Sequence, residues 1–392
     1  MSPTDHWIGI KGYRVLERTS KPPLHVVAEP ERRPTCCLHC KSSQLHSKGR
    51  YRRQVKHLRS FGARVALTIL CRRFKCLVCG LSFVQPLPGI RSGRHSSEPF
   101  REQVYQQHQD GVCGATVATH FQIGTATVER IYAQFTTRKA TERRGHQCPL
   151  VLGIDEHSLH KRCRFATTFC DLRNRRVFEV AKGKSKQELE PFLASLQGRE
   201  RVRVICIDMS STYRALVRRY FPQAKLVADR FHVVRLVMHH FLELFRALDP
   251  TMKHQRGRLA ILRKRPDRLT QKQRKQRDEL FVRQPVFLTI YKQMQKACAL
   301  MREKTRSKRQ CRVLVTRLLR LIDQLKESQL GPMVTLGKTL SSWREEIACM
   351  WRFSKNNGIT EGFHRKMKLI QRRAYGFRNF NNYRLRVIAQ CG

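Results

Sequence analysis

Acidic side chains are scarce in this sequence. Against 79 Lys and Arg stand 29 Asp and Glu, a formal net charge of +50 over 392 residues. An excess of this size repels itself in a compact state and goes beyond what solubility needs. A polyanion is the expected counterpart: nucleic acid first, an anionic membrane surface as the rival. Long apolar runs are missing too. No stretch is long enough to span a bilayer, and Met1–Lys11 lacks the pattern of a secretory signal. A cytosolic, nucleoid-associated protein without a membrane partner is therefore expected. No phosphate loop of the G-x-x-x-x-G-K type occurs, so coupling to ATP is not expected.

Cysteine, in contrast, is plentiful, with 15 residues. Most stand singly in apolar segments (Cys170, Cys206, Cys298, Cys349) and read as small core side chains. Cys37-x-x-Cys40 and Cys76-x-x-Cys79 are different. Two knuckles around a strand-like segment at Val65–Phe74 have the form of a zinc ribbon, in which each pair gives two thiolates to one tetrahedral Zn²⁺. The 35 residues between them exceed the compact pattern and need a hairpin or loop to close the site. Cys36 could replace Cys37, whereas Cys71 reads as a strand residue. Four thiolates leave no open position, so this zinc would be structural.

Residues 1–85 are accordingly read as a Cys₄ ribbon domain and the Pro-, Gly- and Ser-rich residues 86–99 as a linker. Helices over Phe100–Gln109 and Gly114–His120 follow, then a third capped by Thr125. Val128, Ile131, Tyr132 and Phe135 form one apolar face of that helix. Helix, short turn, helix over 100–145 is the form of a DNA-reading helix-turn-helix, although a plain packing module looks the same. In the first case Thr127, Glu129, Arg130 and Gln134 face outward.

From Val151 the pattern changes to strands: Leu152–Asp155, Phe165–Leu172, Arg176–Ala181, a helix at Ser185–Leu196, Val202–Asp208, a helix at Thr212–Tyr220, and Lys225–Asp229. Three of these strands run into a carboxylate: Asp155, Asp208 and Asp229. One such Asp is ordinarily a cap or turn residue. Three at one sheet edge repel one another unless cations intervene, and all-oxygen ligands suit Mg²⁺ or Mn²⁺. Three strands, then helix–strand–helix–strand, is the order of an RNase H-like core, here 150–232, with its first and fourth strands adjacent. Residues 233–350 read as a basic all-α insertion, with a Leu314, Leu318, Leu321, Leu325 stripe and breaks at Pro266, Pro285 and Pro332. Its charge runs, Arg263-Lys264-Arg265 and Lys272–Arg277, suit phosphate contact or a merely solvated face. Residues 351–392 return to the core. A turn at Asn357-Gly358 leads to a helix capped by Thr360. Glu361, Arg365, Lys368 and Arg372 fall on one face and Phe363, Met367, Ile370 and Ala374 on the other. Glu361 also reads simply as a first-turn acid paired with Arg365.

Several phrases together resemble the ISL3 family of insertion-sequence transposases: Gly153-Ile154-Asp155-Glu156-His157; Ile207-Asp208-Met209-Ser210 with Tyr213; Asp229-Arg230-Phe231-His232-Val233; Thr360-Glu361-Gly362; and Arg373-Ala374-Tyr375-Gly376-Phe377-Arg378-Asn379-Phe380. The resemblance implies a DDE transposase whose acidic triad is Asp155, Asp208 and Glu361, 53 and 153 residues apart. Asp229 is then the fallback for the second acid and His232 an auxiliary core residue. His364 stands where the family phrase leads one to expect Asn. The triad would hold two Mg²⁺ (or Mn²⁺) ions about 4 Å apart. The implied reaction binds the element's terminal inverted repeats, cleaves them and joins the freed 3′-OH to target double-stranded DNA, with at least a homodimer on the DNA. Arg365, Lys368 and Arg372 would contact the backbone. The alternatives are a DNA-binding regulator without catalysis, and a recombinase with a covalent nucleophile. For the latter Tyr375 and Tyr383 lie near arginines, but no spacing singles them out, and Tyr375 reads as packing.

Overall fold

The computed structural model describes residues 8–19, 21, 24–60, 62–145, 147–160, 164–353 and 358–392. The chain divides into two compact units, residues 1–138 and 139–392.

The first unit opens with five strands, β1 (Tyr13–Arg18), β2 (Leu24–Pro30), β3 (Leu45–Lys56), β4 (Val65–Cys76) and β5 (Ser82–Val84), and continues with α1 (Glu98–Gln109), α2 (Gly114–Phe121) and α3 (Thr125–Arg143) as far as Arg138. The sheet order is β1-β2-β4-β3, with β5 on β4 as well. β3 and β4 are antiparallel with Leu45 opposite Cys76, so their pairing carries the two knuckles to the same end of one hairpin. The sequence pattern did not show β3. It holds His46, Lys48, Arg50, Arg52, Arg53 and Lys56, and most of it is exposed. It lies at the sheet edge, where cationic side chains cost nothing and deter pairing with other chains.

The Pro- and Gly-rich segment 86–99 is packed, which departs from a free linker. Leu87 and Ile90 join the sheet core with Ile8, Ile10 and Leu67. Ser97 caps α1 by accepting from Phe100 N–H (3.3 Å). Pro99 sits in the first turn, where a missing N–H is harmless, so the helix starts at Glu98. His57 bridges Ser97 Oγ (2.8 Å) and the Ile8 carbonyl (2.7 Å), tying the sheet to this start. The expected apolar face of α3 is buried against Phe100, Val104 and Tyr105 of α1. Gly124, rather than Thr125, takes the capping position, because its carbonyl accepts from Val128 N–H (3.2 Å).

The second unit holds a sheet of β6 (Val151–His160), β7 (Arg164–Asp171), β8 (Arg176–Lys182), β9 (Val204–Ile207) and β10 (Lys225–Ala228), in the order β10-β9-β6-β7-β8. β6, β7 and β8 are antiparallel neighbours. β9 runs parallel to both β6 and β10. α4 (Lys186–Ser195) and α5 (Ser211–Tyr220) make the crossovers. α4 begins with a capping box of Ser185 and Glu188, and α5 with Ser210. β9 is apolar and buried on both faces, as a strand covered on two sides must be.

After β10 come α6 (Arg230–Leu248), α7 (Arg256–Arg263), α8 (Gln271–Arg283), α9 (Pro285–Arg302), α10 (Lys308–Glu327), α11 (Gly331–Ser342) and α12 (Arg344–Arg352). Pro285 and Pro332 stand in the first turns of helices, and Pro266 opens a short 3₁₀ turn. The buried stripe of α10 is Leu314, Leu318, Ile322 and Leu325; Leu321 is only half-buried, since a 3.6-residue repeat shifts the stripe by one position there. α13 (Gly358–Arg373) and α14 (Phe380–Cys391) then return to the sheet. Glu179 of β8 takes both Arg384 Nε (2.7 Å) and Arg384 Nη2 of α14. Of the turn expected at Asn357-Gly358, Asn357 lies outside the described residues. α13 starts at Gly358, so Thr360 is inside it and buried instead of capping it.

Candidate active site and metal centre

β6 is longer than its apolar run suggests, and Asp155 lies within it, opposite Thr168 of β7. What ends at Asp155 is the pairing with β9, whose last pair is Ile154 with Ile207. The next residue of each strand is an acid, Asp155 and Asp208. Neighbouring strands lie about 4.8 Å apart, so the two carboxylates leave the sheet side by side. Ala228 of β10 also pairs with Ile207, which sets Asp229 beside them as the third of the row.

These acids sit in apolar surroundings. Burial pushes the Asp155 carboxyl up to about 7, and the charges of Asp208, Asp229 and Glu156 add to the rise; the Glu156 N–H (2.9 Å) opposes it. Burial likewise pushes Asp208 up to about 6, with Glu156 and Asp229 adding and His232 opposing. Asp208 Oδ1 is buried with no hydrogen-bond partner. An orphaned carboxylate oxygen among further acids is what a hard cation would satisfy. Asp229 is almost fully buried, and its Oδ2 lies 3.7 Å from His232 Nε2. Glu156 was not anticipated; it lies 3.7 Å from Lys184 Nζ.

α13 crosses β6 and β7 and is seated by its polar residues. Thr360 bonds Cys170 of β7. His364 Nδ1 lies 3.8 Å from Asp155 Oδ2, and its Nε2 lies 3.1 Å from Thr168 Oγ1. Thr168 Oγ1 also meets His157 Nδ1 (3.0 Å), and His157 Nε2 meets Tyr383 OH (2.6 Å). Burial lowers His364 to about 4 and His157 to about 3, with Lys368 near both, so both rings are neutral at physiological pH. His364, which stood outside the expected triad, thus lies beside Asp155.

Glu361 shares the turn of α13 that carries Thr360 and His364, but its side chain is 54% exposed and bonds Arg365 (2.9 Å). It does not close a three-carboxylate shell with Asp155 and Asp208. Among the described residues, the one convergent shell of three or more His, Cys, Asp or Glu is that of Cys37, Cys40, Cys76 and Cys79. Those sulfurs all lie within 4.8 Å of one another, with Cys37–Cys79 at 3.7 Å and Cys40–Cys76 at 3.5 Å. Four sulfurs around a tetrahedral zinc would be about 3.8 Å apart. Knuckle N–H groups lower the Cys37 and Cys76 thiols, those of Cys40 and His39 for Cys37 and of Cys79 and Val78 for Cys76. The donor set therefore fits zinc. Cys36 lies outside this cluster, and Cys71 is buried in β4.

The chain belongs to the ISL3 family of transposases. The model of that family, described as a transposase, matches residues 152–387. The chain is also 27% identical to the transposase for insertion sequence element IS1001 of Bordetella parapertussis, over 97% of this chain and 96% of that one. DNA transposition is the activity of the family. No helix among the described residues is long and apolar enough to cross a membrane.

The residues expected to touch DNA fare unequally. On α3, Arg130 is exposed and Thr127 half-buried. Gln134 Oε1 is held by Arg101 of α1, and Glu129 lies 3.5 Å from His108, so both have partners inside the unit. Arg365, Lys368 and Arg372 are exposed along α13. An open basin of about 960 Å³ at the start of α6 adds Arg235, Arg263, Lys264, Arg265, Arg268 and Arg302. Tyr375, read above as packing, is 90% exposed, whereas Tyr383 is buried.

Proposed function

We propose that this transposase is a DDE enzyme with an RNase H-like core, cutting the terminal inverted repeats of its element and joining the 3′-OH ends to target DNA. The observation that carries the reading is the pair Asp155 and Asp208, on adjacent parallel strands, each one residue beyond the Ile154–Ile207 pair. The strand order β10-β9-β6-β7-β8 supports the RNase H-like assignment. Asp155, Asp208 and Glu361 would hold Mg²⁺ or Mn²⁺, with Asp229 and His232 buttressing Asp208. Divalent ions bound there would activate the attacking oxygen and stabilise the leaving one.

The protein's own part is positioning. Thr360 and His364, which flank Glu361 in α13, hold that helix to Cys170 and Thr168 of β7 and beside Asp155 of β6. Glu361 would join the two aspartates once it leaves Arg365. Arg365 now competes for it. DNA phosphates along Arg365, Lys368 and Arg372 would draw Arg365 away and release Glu361 inward. Zinc on the four cysteines would hold the β3–β4 hairpin, and α3 would approach the repeat through Thr127 and Arg130. Two element ends must be joined, which calls for at least two copies on the DNA.

The test is cleavage of end-labelled DNA carrying the element's terminal repeats, in Mg²⁺, in Ca²⁺ and with EDTA. Wild type should cut in Mg²⁺ only. Asp155→Asn should bind the DNA as before and cut at least about a hundredfold more slowly, the upper range for changes that only disturb a metal's surroundings. Nicking by Asp155→Asn at the wild-type rate would take Asp155 out of the site. Cutting that survives EDTA with protein linked to DNA would indicate a covalent recombinase. No cutting with any metal would leave a regulator.

A further inference from the structure

Tyr375 and the turn that carries it, between α13 and α14, have no part in the site described above. Tyr375 is 90% exposed and holds φ at +50°. An aromatic residue rarely adopts left-handed backbone, and such strain persists where the surroundings enforce it. Here burial gives nothing back. The turn is closed by its backbone: Tyr375 N–H donates to the Arg372 carbonyl (3.1 Å) and Gly376 N–H to the Gln371 carbonyl (2.9 Å). The ring is presented to solvent by a fixed turn.

Behind this turn lies a cavity of about 660 Å³. Such a volume falls within the ~300–1,000 Å³ of ordinary ligand pockets. Its walls include Phe165 of β7 and Phe377 and Phe380 after the turn, all half-buried. Tyr383 stands behind them, edge-on to Phe377 at 5.3 Å, fixed by its bond to His157. Arg164, Lys182 and Arg378 line the rim, and Lys184 Nζ lies 3.7 Å over the Phe165 ring. The acid among the lining residues is Glu188, whose carboxylate already accepts from Lys184 N–H and Ser185 N–H, both at 3.0 Å. Leu159 of β6 is also in the wall. It lies four residues on from Asp155, about 13 Å along an extended strand.

Flat aromatic walls under a cationic rim suit a nucleobase with its phosphate. A base still paired in a duplex cannot enter such a cavity. We propose that this cavity takes an unpaired nucleotide of the DNA, its base against Phe165 and Phe377 and its phosphate on the rim cations, with Tyr375 stacking on the next base at the mouth. The inference rests on the DNA reading above and places the unpaired nucleotide within a few steps of the cut.

The full-length protein is titrated with a blunt DNA duplex and with the same duplex bearing a short single-stranded 3′ tail that contains 2-aminopurine. Wild type should bind the tailed duplex about tenfold more tightly, the scale of one stacked base, and quench the 2-aminopurine. Tyr375→Ala and Phe377→Leu should each lose most of the preference and the quenching while binding the blunt duplex as wild type does. If Phe377→Leu fails to fold, Tyr375→Ala alone decides, since its ring touches little. No preference in wild type, or a preference kept by a folded variant, overturns the proposal. Displacement of the tail by free dTMP would give the cavity to a soluble nucleotide and overturn it as well. Failure to bind either duplex would bring down the DNA reading itself.

Discussion

His364 meets Asp155 at 3.8 Å with a ring that burial keeps neutral, so it orients the carboxylate without neutralising it. Removing it should loosen the first acid and unseat one point of α13. His364→Ala is expected to cut about 10- to 100-fold more slowly and to need more Mg²⁺ for half-maximal rate, with DNA affinity unchanged. A Mg²⁺ titration of the cleavage rate checks this, and an unchanged curve would make the histidine mere packing. The acids themselves were legible in the sequence, because a charged residue closing an apolar run is conspicuous. His364 was not, because its partners, Asp155 and Thr168, come from strands far earlier in the chain. Tyr375 misled for a related reason: an aromatic beside a helix end is usually covered, and only the left-handed turn before Gly376 shows that this one is not. Gln134 looked outward by helical spacing, yet Arg101 from α1 claims it.

The β3–β4 hairpin is the element that brings the two cysteine pairs together. Its long intervening sequence looked like an obstacle to closing a metal site, whereas antiparallel pairing over nearly its whole length is the solution. β4 was readable from its apolar run; β3, an edge strand rich in Lys and Arg, carries no alternation to read. If the four thiols hold zinc, a strong chelator should open the hairpin end. Limited proteolysis should then cut near Cys40 and Cys76, while the unit from Lys139 onward keeps its resistance; equal resistance with and without chelator would deny zinc a structural role. His57 gives a second test. Burial lowers its pKa, so the folded unit favours the neutral ring over the unfolded chain, whose histidine titrates near 6.5. Its stabilising contribution is therefore full above about pH 6.5 and is lost as pH falls toward the folded pKa. The denaturation midpoint of His57→Gln should lie below wild type at pH 7.5, and the gap should narrow at pH 5.5. A gap that widens in acid would refute the neutral ring.

At the scale of the molecule, the excess of 50 positive charges predicts binding dominated by phosphate. If about eight cations meet phosphates, affinity should fall roughly 10⁴-fold between about 50 and 200 mM salt. Replacing Arg263, Lys264 and Arg265 together with Ala should flatten the slope of log K against log salt by up to about 3 if the basin is used, and leave it alone if that face is only solvated. The order of strands and helices in the core was open to reading, since each is local; the way α12, α13 and α14 fold back across the sheet was not, because the helical insertion separates them from it. That return has a consequence for synthesis. Ribosomes add about 5–20 residues per second, so the strands bearing Asp155 and Asp208 emerge many seconds before α13. A nascent chain, or one stopped early by a nonsense codon, would carry the ribbon and α1–α3 without the helix that bears Glu361. If the first unit binds the element's ends and Glu361 is needed for cutting, as proposed, such a fragment would occupy those ends without cutting them and so repress its own gene's mobility.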